Sequence, residues 1–264
     1  MIKVDFSSAD PIANLKEVQD RIRKEPARAD LRIFLFQLYC LMGEWGKAGN
    51  QLDTLSELDP QTSSMVRTYR ETLRCEGVRR EVFSGIKTPL ILGDPEDWLA
   101  GLFEALSLNA AGHHAQARTL RERSLAAAPA TPGSIDGQPF TWFADADTRL
   151  GPVLEAIVNG KYYWIPVQRL SRVVLDAPAD LRDMVWMPAT LTFANGGESV
   201  ALIPSRYPGT ESSSDHQLQL ARRTEWRDLG AETYAGLGQR MFATDQAEYA
   251  LLDIREVLLG STHG

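Results

Sequence analysis

Ala128-Pro129-Ala130-Thr131-Pro132-Gly133-Ser134-Ile135-Asp136-Gly137-Gln138-Pro139 is the stretch on which the sequence turns. Three prolines and two glycines lie within it, and each either removes a backbone donor or frees the backbone from side-chain restraint. So dense a run reads as a linker or hinge, and it places a domain boundary between residues 1–130 and 131–264. On its N-terminal side the apolar residues keep helical spacing. On its C-terminal side they alternate, or run together as β-branched and aromatic clusters.

Working back from the break, Leu31, Leu35, Leu38 and Met42 recur at i, i+4, i+7 and i+11, one face of a helix. Ile33, Phe34, Phe36, Cys40 and Leu41 fill much of the remaining surface, so this helix must be covered on more than one side. A tetratricopeptide-like repeat of about 34 residues fits from Ala29. It puts Leu35 and Tyr39 in a first helix, Gly43 at the turn, Trp45 after it, Ala48 at the close crossing and Leu58-Asp59-Pro60 at the end. Phe36 and Leu55 stand where such a repeat uses smaller residues, which implies a splayed hairpin. A second unit fits residues 98–131, with Ala105, Gly112, Ala117 and Pro129 in register. Residues 10–26 look like half a repeat, and 62–85 supply a further helix. In the first unit Leu31, Leu35, Leu38 and Met42 serve the internal core. Ile33, Gln37 and Cys40 face the groove with Phe36 and Leu41 beside them, and these five are the candidate partner-binding residues. Such grooves take the apolar face of an amphipathic helix. A following helix or the C-terminal domain could cover the same face instead.

Working forward, residues 153–158 are expected to be helical, with Pro152 suited to the first turn and Gly160 to the stop. Strands are expected at 161–166, 170–175, 187–193, 199–203, 224–228, 240–243 and 249–257. Asn195-Gly196-Gly197 forms a hairpin turn between the third and fourth of these. The expected fold class is α+β: tetratricopeptide-like helical repeats followed by a small, β-rich, barrel-like α+β domain.

The net charge of −7 is unevenly spread. Residues 1–130 carry 17 basic against 18 acidic side chains, and the remainder 11 against 17. An acidic chain without a basic stripe is a poor match to nucleic acid, which demands phosphate neutralisation. The one basic cluster, Arg222-Arg223-Thr224-Glu225-Trp226-Arg227, ends among acids and reads as a solvated strand face. No run approaches the roughly 20 apolar residues of a membrane span. Met1-Ile2-Lys3-Val4-Asp5-Phe6-Ser7-Ser8 offers no secretory signal. The two cysteines, Cys40 and Cys75, lack neighbours at metal-ligand spacing, which fits a reduced, cytoplasmic compartment.

Candidate chemistry is sparse. Gly46-Lys47-Ala48 and Gly160-Lys161-Tyr162 lack the glycine spacing and the hydroxyl of a phosphate loop. Gly236-Leu237-Gly238-Gln239-Arg240 lacks the third glycine of a dinucleotide fingerprint and reads as a plain turn. His113, His114, His216 and His263 have no second ligand at useful spacing, so neither a metal nor a cofactor is expected. His216 behind Ser212-Ser213-Ser214-Asp215 lacks the rigid frame a catalytic triad needs. The most unusual segment is Trp142-Phe143-Ala144-Asp145-Ala146-Asp147-Thr148-Arg149-Leu150-Gly151-Pro152. Asp145 and Asp147 could be a carboxylate pair for acid–base work with Arg149 on a small ligand. The plainer reading is that one caps the following helix and pairs with Arg149, so that Asp147→Asn costs about 1 kcal/mol or less.

That segment, with Ile135-Asp136-Gly137 before it and Asn159-Gly160-Lys161-Tyr162-Tyr163-Trp164-Ile165-Pro166 after it, resembles the ImpE family, also called SciE or TagJ. Further likeness lies in Leu181-Arg182-Asp183-Met184-Val185-Trp186-Met187-Pro188-Ala189, Arg206-Tyr207-Pro208-Gly209, Ala221-Arg222-Arg223-Thr224-Glu225-Trp226 and Gly236–Arg240. Gly43-Glu44-Trp45 and Gln51-Leu52-Asp53 extend it into the first half. The resemblance implies a non-catalytic cytoplasmic accessory of the bacterial type VI secretion system. It implies binding to the N-terminal helix of the small contractile-sheath subunit and a link to the ClpV-type ATPase that disassembles sheaths. It carries over no catalytic residues. Two alternatives stand beside it: a C-terminal enzyme using Asp145, Asp147 and Arg149, and a dimeric scaffold without sheath contact.

Overall fold

The computed structural model describes residues 11–260, so expectations resting on the first ten residues and on His263 lie outside it. Six helices come first: α1 (Leu15–Lys24), α2 (Ala29–Leu41), α3 (Trp45–Leu58), α4 (Ser63–Phe83), α5 (Asp97–Ala110) and α6 (His114–Ala127), with a two-residue strand β1 (Leu90–Ile91) before α5. The α2–α3 and α5–α6 pairs are hairpins whose starts lie two repeats of about 34 residues apart. Between them a single helix of 21 residues, α4, takes the place of a hairpin. Gly43 closes the α2–α3 turn at a φ of 67° with the Glu211 side chain against it, a conformation and a clearance that only glycine combines.

The C-terminal half contains β2 (Gly133–Ile135), β3 (Gln138–Phe140), β4 (Phe143–Asp145), β5 (Val153–Val158), β6 (Lys161–Pro166), β7 (Leu170–Leu175), β8 (Trp186–Phe193) and β9 (Glu198–Pro204). The short helix α7 (His216–Gln219) follows, then β10 (Thr224–Asp228), β11 (Tyr234–Gly238), β12 (Met241–Thr244), β13 (Glu248–Ala250) and β14 (Glu256–Leu259). Nine strands form one sheet in the order β1-β6-β5-β9-β8-β7-β14-β2-β3. A three-stranded sheet, β13-β12-β4, and a ribbon of β10 and β11 complete the set. The class is α+β, helices first and a β-rich region after. β1 crosses that order: it comes from the helical half and pairs in parallel with β6.

The large sheet separates two cores. Val153, Ile157, Tyr162, Trp164 and Trp186 face the helices and pack with Phe36, Leu52, Tyr69 and Leu99. Their neighbours in sequence, Leu154, Ala156, Val158, Ile165 and Met187, face the opposite side. Period-two alternation thus assigns adjacent residues to different cores. On that far side Leu154, Val173, Ile203 and Val257, from four strands, line one small void with Phe143 and Phe242 of the three-stranded sheet. The sheet therefore curves around this second core, and the smaller sheet covers it.

Four local expectations need correction. Residues 153–158 are strand β5, not a helix, and all six are buried. A strand covered on both faces reads as a continuous apolar run, which periodicity alone does not separate from a buried helix. The supposed linker is woven into the sheet: Gly133–Ile135 pairs with β14 and β3. Asp136 and Gly137, at φ 46° and 82°, make a two-residue turn with the left-handed dihedrals a tight hairpin requires. The expected plain turn at Gly236–Gly238 is strand β11. The expected strand 249–257 is interrupted by a 3₁₀ turn at Leu251–Asp253.

Candidate functional site

The unusual segment lies where β4 ends. Asp145 Oδ1 accepts from the Asp147 backbone N–H at 2.8 Å, and Asp147 Oδ1 accepts from the Arg149 N–H at 3.0 Å. Two successive aspartate turns therefore reverse the chain into β5. No helix follows, so the helix-capping expectation falls, because side-chain-to-backbone bonds of this kind shape turns as readily as caps. Asp147 also accepts from Arg149 Nε at 2.8 Å and Nη2 at 2.5 Å, and from the Gly236 N–H at 3.0 Å. The Arg149 guanidinium stacks 4.8 Å from the Phe83 ring centroid at the end of α4.

Behind this turn lies a buried network that joins the two halves. Glu155, the one acid in β5, accepts from Arg79 Nε of α4 at 2.8 Å and Nη2 at 3.2 Å, and from the Tyr162 hydroxyl. Arg240 is fully buried and donates to both Asp145 and Glu155, and its Nε donates to the Pro204 carbonyl at 2.8 Å. The Tyr207 hydroxyl donates to Asp145 Oδ1 at 3.0 Å. On α4, one turn before Arg79, Glu76 Oε1 accepts from Trp186 Nε1 at 2.7 Å. Arg206 Nη1 donates to the carbonyls of Leu41 at 2.8 Å and Gln219 at 2.5 Å, and Nη2 to Cys40 at 3.2 Å. These carbonyls lie at the C-terminal ends of α2 and α7, where the helical i+4 donor is missing, so one cation serves the ends of two helices. Four carboxylates, Glu76, Asp145, Asp147 and Glu155, thus sit among four guanidinium groups, Arg79, Arg149, Arg206 and Arg240. Buried ions cost several kcal/mol each unless paired and hydrogen-bonded; the four acids are paired with Arg79, Arg149 and Arg240, while Arg206 is held by backbone carbonyls alone.

The electrostatics follow from sharing. Burial would raise Glu155, but Arg79 and Arg240 outweigh it and hold its carboxyl at about 2. Burial pushes Asp145 up to about 7, since Arg240 is divided between two acids and Asp147 lies close. Burial lowers Arg206 to about 10.

The structure does not bring the two groups of sequence candidates together. Of the five partner-binding candidates on α2, Phe36, Cys40 and Leu41 are fully buried, Gln37 nearly so, and Ile33 is half-buried against the same core. Phe36 meets the Tyr69 ring edge-on at 5.5 Å, and Gln37 Nε2 donates to Asp180 Oδ2 at 3.0 Å. The open groove is therefore corrected: α4 and the C-terminal half together cover the face of α2 that was expected to receive a partner. Asp145, Asp147 and Arg149 do lie together, all buried, and Arg149 alone of the three borders a space of only water size with Leu102, Arg121 and Thr233. Sequence reading missed Arg79, Glu155, Arg206 and Arg240. A lone glutamate within an apolar run was the available signal for Glu155, since a buried acid demands a cation. Among the described residues no group of three or more His, Cys, Asp or Glu is placed to hold a metal. Nor is any described helix long and apolar enough to cross a membrane.

Comparison with known proteins gives three likenesses. A family model described as ImpE protein matches residues 137–258. The type VI secretion system accessory component TagJ of Pseudomonas aeruginosa is 53% identical over 243 residues, covering 92% of this chain and 85% of that one. The crystal structure of a Vibrio parahaemolyticus protein superposes with a TM-score of 0.86 over 95% of this chain and 94% of that chain. At 20% identity that last likeness is one of fold alone.

Proposed function

This chain belongs to the ImpE family, and from that premise we propose that it is a non-catalytic accessory protein of a type VI secretion system. In this reading it works in the cytoplasm as an adaptor: it binds the N-terminal helix of the small contractile-sheath subunit and is linked to ClpV-dependent sheath disassembly. The observation that carries the reading is the 53% identity to an accessory component of that system across nearly the whole chain. The buried network supports the non-catalytic part. Asp145, Asp147 and Glu155 are each at most 4% exposed, and their oxygens are engaged by protein donors. A general acid or base must come within hydrogen-bond reach of its substrate, and these groups face the interior.

The test is direct binding of the full-length protein to a synthetic peptide of the sheath subunit's N-terminal helix, followed by fluorescence anisotropy. Saturable binding is expected, abolished by a proline placed within the peptide helix. Absence of binding to both the peptide and the intact sheath subunit overturns the adaptor reading.

A further inference from the structure

The ribbon of β10 and β11 has an edge that the fold does not use. β11 turns its even-numbered backbone groups away from β10: the Tyr234 N–H donates to Thr148 Oγ1 at 3.1 Å, the Gly236 N–H to Asp147 Oδ2 at 3.0 Å and the Gly238 N–H to Thr210 Oγ1 at 2.8 Å. Its odd-numbered residues therefore bond to β10, Leu237 with Glu225 and Ala235 with Arg227. The same parity continues at both ends, where the Gln239 N–H donates to the Arg223 carbonyl at 2.9 Å and the Leu229 N–H to the Thr233 carbonyl at 2.8 Å. The outer edge of β10 thus carries the N–H and C=O groups of Thr224, Trp226 and Asp228. Among the described residues no strand pairs with it.

An open edge recruits a further strand unless the sequence blunts it. The other sheet edges are short or blunted. β3 carries Pro139, which has no N–H to give, β1 has two residues, and β4 and β13 have three each. β10 has five residues, all at least partly exposed, and no proline. Charges can also blunt an edge, and β10 has Glu225, Arg227 and Asp228. Their order decides the outcome. Against an antiparallel second β10, outward residues must meet outward residues, so the possible registers differ by two. With Trp226 opposite its own copy, Glu225 faces Arg227 on both sides of the axis, and Asp228 faces Thr224. A slip one way sets Glu225 against Glu225, and a slip the other way sets Arg227 against Arg227. Charge therefore selects one register and penalises its neighbours.

The side chains suit this use. Alternation puts Trp226 on the face toward the domain, its ring 5.6 Å from that of Tyr207, and leaves Glu225 and Arg227 on the solvent face. Trp226 is still 40% exposed, and at the centre of the pair each indole would cover the free side of the other. Within one chain Glu225 is paired with Arg223, which also meets Asp215 at 2.6 Å. Arg223 thus keeps a carboxylate when Glu225 turns to the second copy.

We propose that β10 is a homodimerisation strand: two copies join edge to edge about a two-fold axis at Trp226, making one four-stranded ribbon of two two-stranded ones. An isologous contact needs a self-complementary surface, and Thr224–Asp228 is one. The inference is independent of the adaptor reading. Sedimentation of the full-length protein over a range of concentrations should show a species of twice the chain mass in exchange with the single chain. Glu225→Arg and Arg227→Glu each create like-charge pairs on both sides of the axis, and each should weaken the dimer at least about tenfold. The double variant restores opposite charges across the axis and should dimerise as wild type does. Both residues are exposed, so melting temperatures should stay near wild type. Hydrogen exchange adds a readout with a period of two: raising the protein concentration should slow the amides of 226 and 228, while those of 225 and 227, already bonded to β11, stay unchanged. A single chain at every concentration overturns the proposal, as does a dimer that both single variants leave intact. A dimer lost in the single variants and not regained in the double one overturns the two-fold pairing. Protection at 226 and 228 that appears only when the sheath subunit is added assigns the edge to that partner and overturns dimerisation.

Discussion

Asp147 receives four hydrogen bonds, three from Arg149 and one from Gly236, and is fully buried. As a helix cap it was expected to tolerate asparagine at about 1 kcal/mol or less. In the folded network the same change strands the Arg149 charge in the interior, which typically costs about 3–5 kcal/mol. Urea unfolding of Asp147→Asn should therefore show a loss of about 3 kcal/mol; a loss under about 1 kcal/mol would mean that Arg149 finds another partner or reaches water. Asp145 makes a pH prediction. Its folded value of about 7 lies above the ordinary 3.8, so the folded state holds a proton that the unfolded chain has released. Its contribution is present in full below about pH 4 and is lost as pH rises through about 7. Glu155, held at about 2 against an ordinary 4.5, acts in the opposite sense: its contribution is present above about 4.5 and lost as pH falls toward 2. Wild type should lose more stability between pH 5 and pH 7.5 than Asp145→Asn does. Parallel pH profiles for the two proteins would refute the assignment.

At the scale of elements, β5 shows why local reading failed. Val153, Leu154, Ala156, Ile157 and Val158 satisfy helix and buried strand alike, and Pro152 suggested a helix start. The deciding signal lay just beyond: Asn159-Gly160 at φ 49° and 69° is the two-residue hairpin turn that joins β5 to β6. Gly160 serves that hairpin and not a helix end. β11 failed for a different reason. Its glycines make it look like a turn, yet Gly236 is a strand residue with Tyr207 pressed against it, and a Cβ there would lie 2.1 Å from the ring. Gly236→Ala must displace either the ring that braces Asp145 or the N–H bound to Asp147, so it is expected to cost about 2–3 kcal/mol, as overpacking does. A thermal melt within about 2 °C of wild type would show that the Tyr207 ring yields freely.

For the whole molecule, the break near Gly133 marks a change of secondary structure within a shared core. Phe36, Tyr69, Trp164 and Trp186 belong to one apolar cluster, β1 joins the sheet from the helical side, and Arg79 pairs with Glu155 across the join. Neither half covers its own apolar face, and an uncovered face of that extent cannot offset chain entropy. Calorimetry of the intact protein should show a single transition, and the isolated 131–264 fragment should lack protected amides. Two separable transitions, or a folded fragment, would show that the halves are independent after all.

What the sequence determined by itself was local. The helical spacing of α2, the Gly43 turn, the Asn195-Gly196 hairpin and the order of helices before strands all rest on interactions among near neighbours. Family membership was legible too, in runs such as Trp142–Pro152. The tertiary structure alone decided what α2 faces, because an all-round apolar helix must be covered without saying by what. It alone decided that Asp145 and Asp147 serve a buried charge network, because the cations that neutralise the cluster, Arg79 and Arg240, stand far off in the chain. Charge pairing across such separations has no sequence period, and only the packing of α4 against the sheet brings it about.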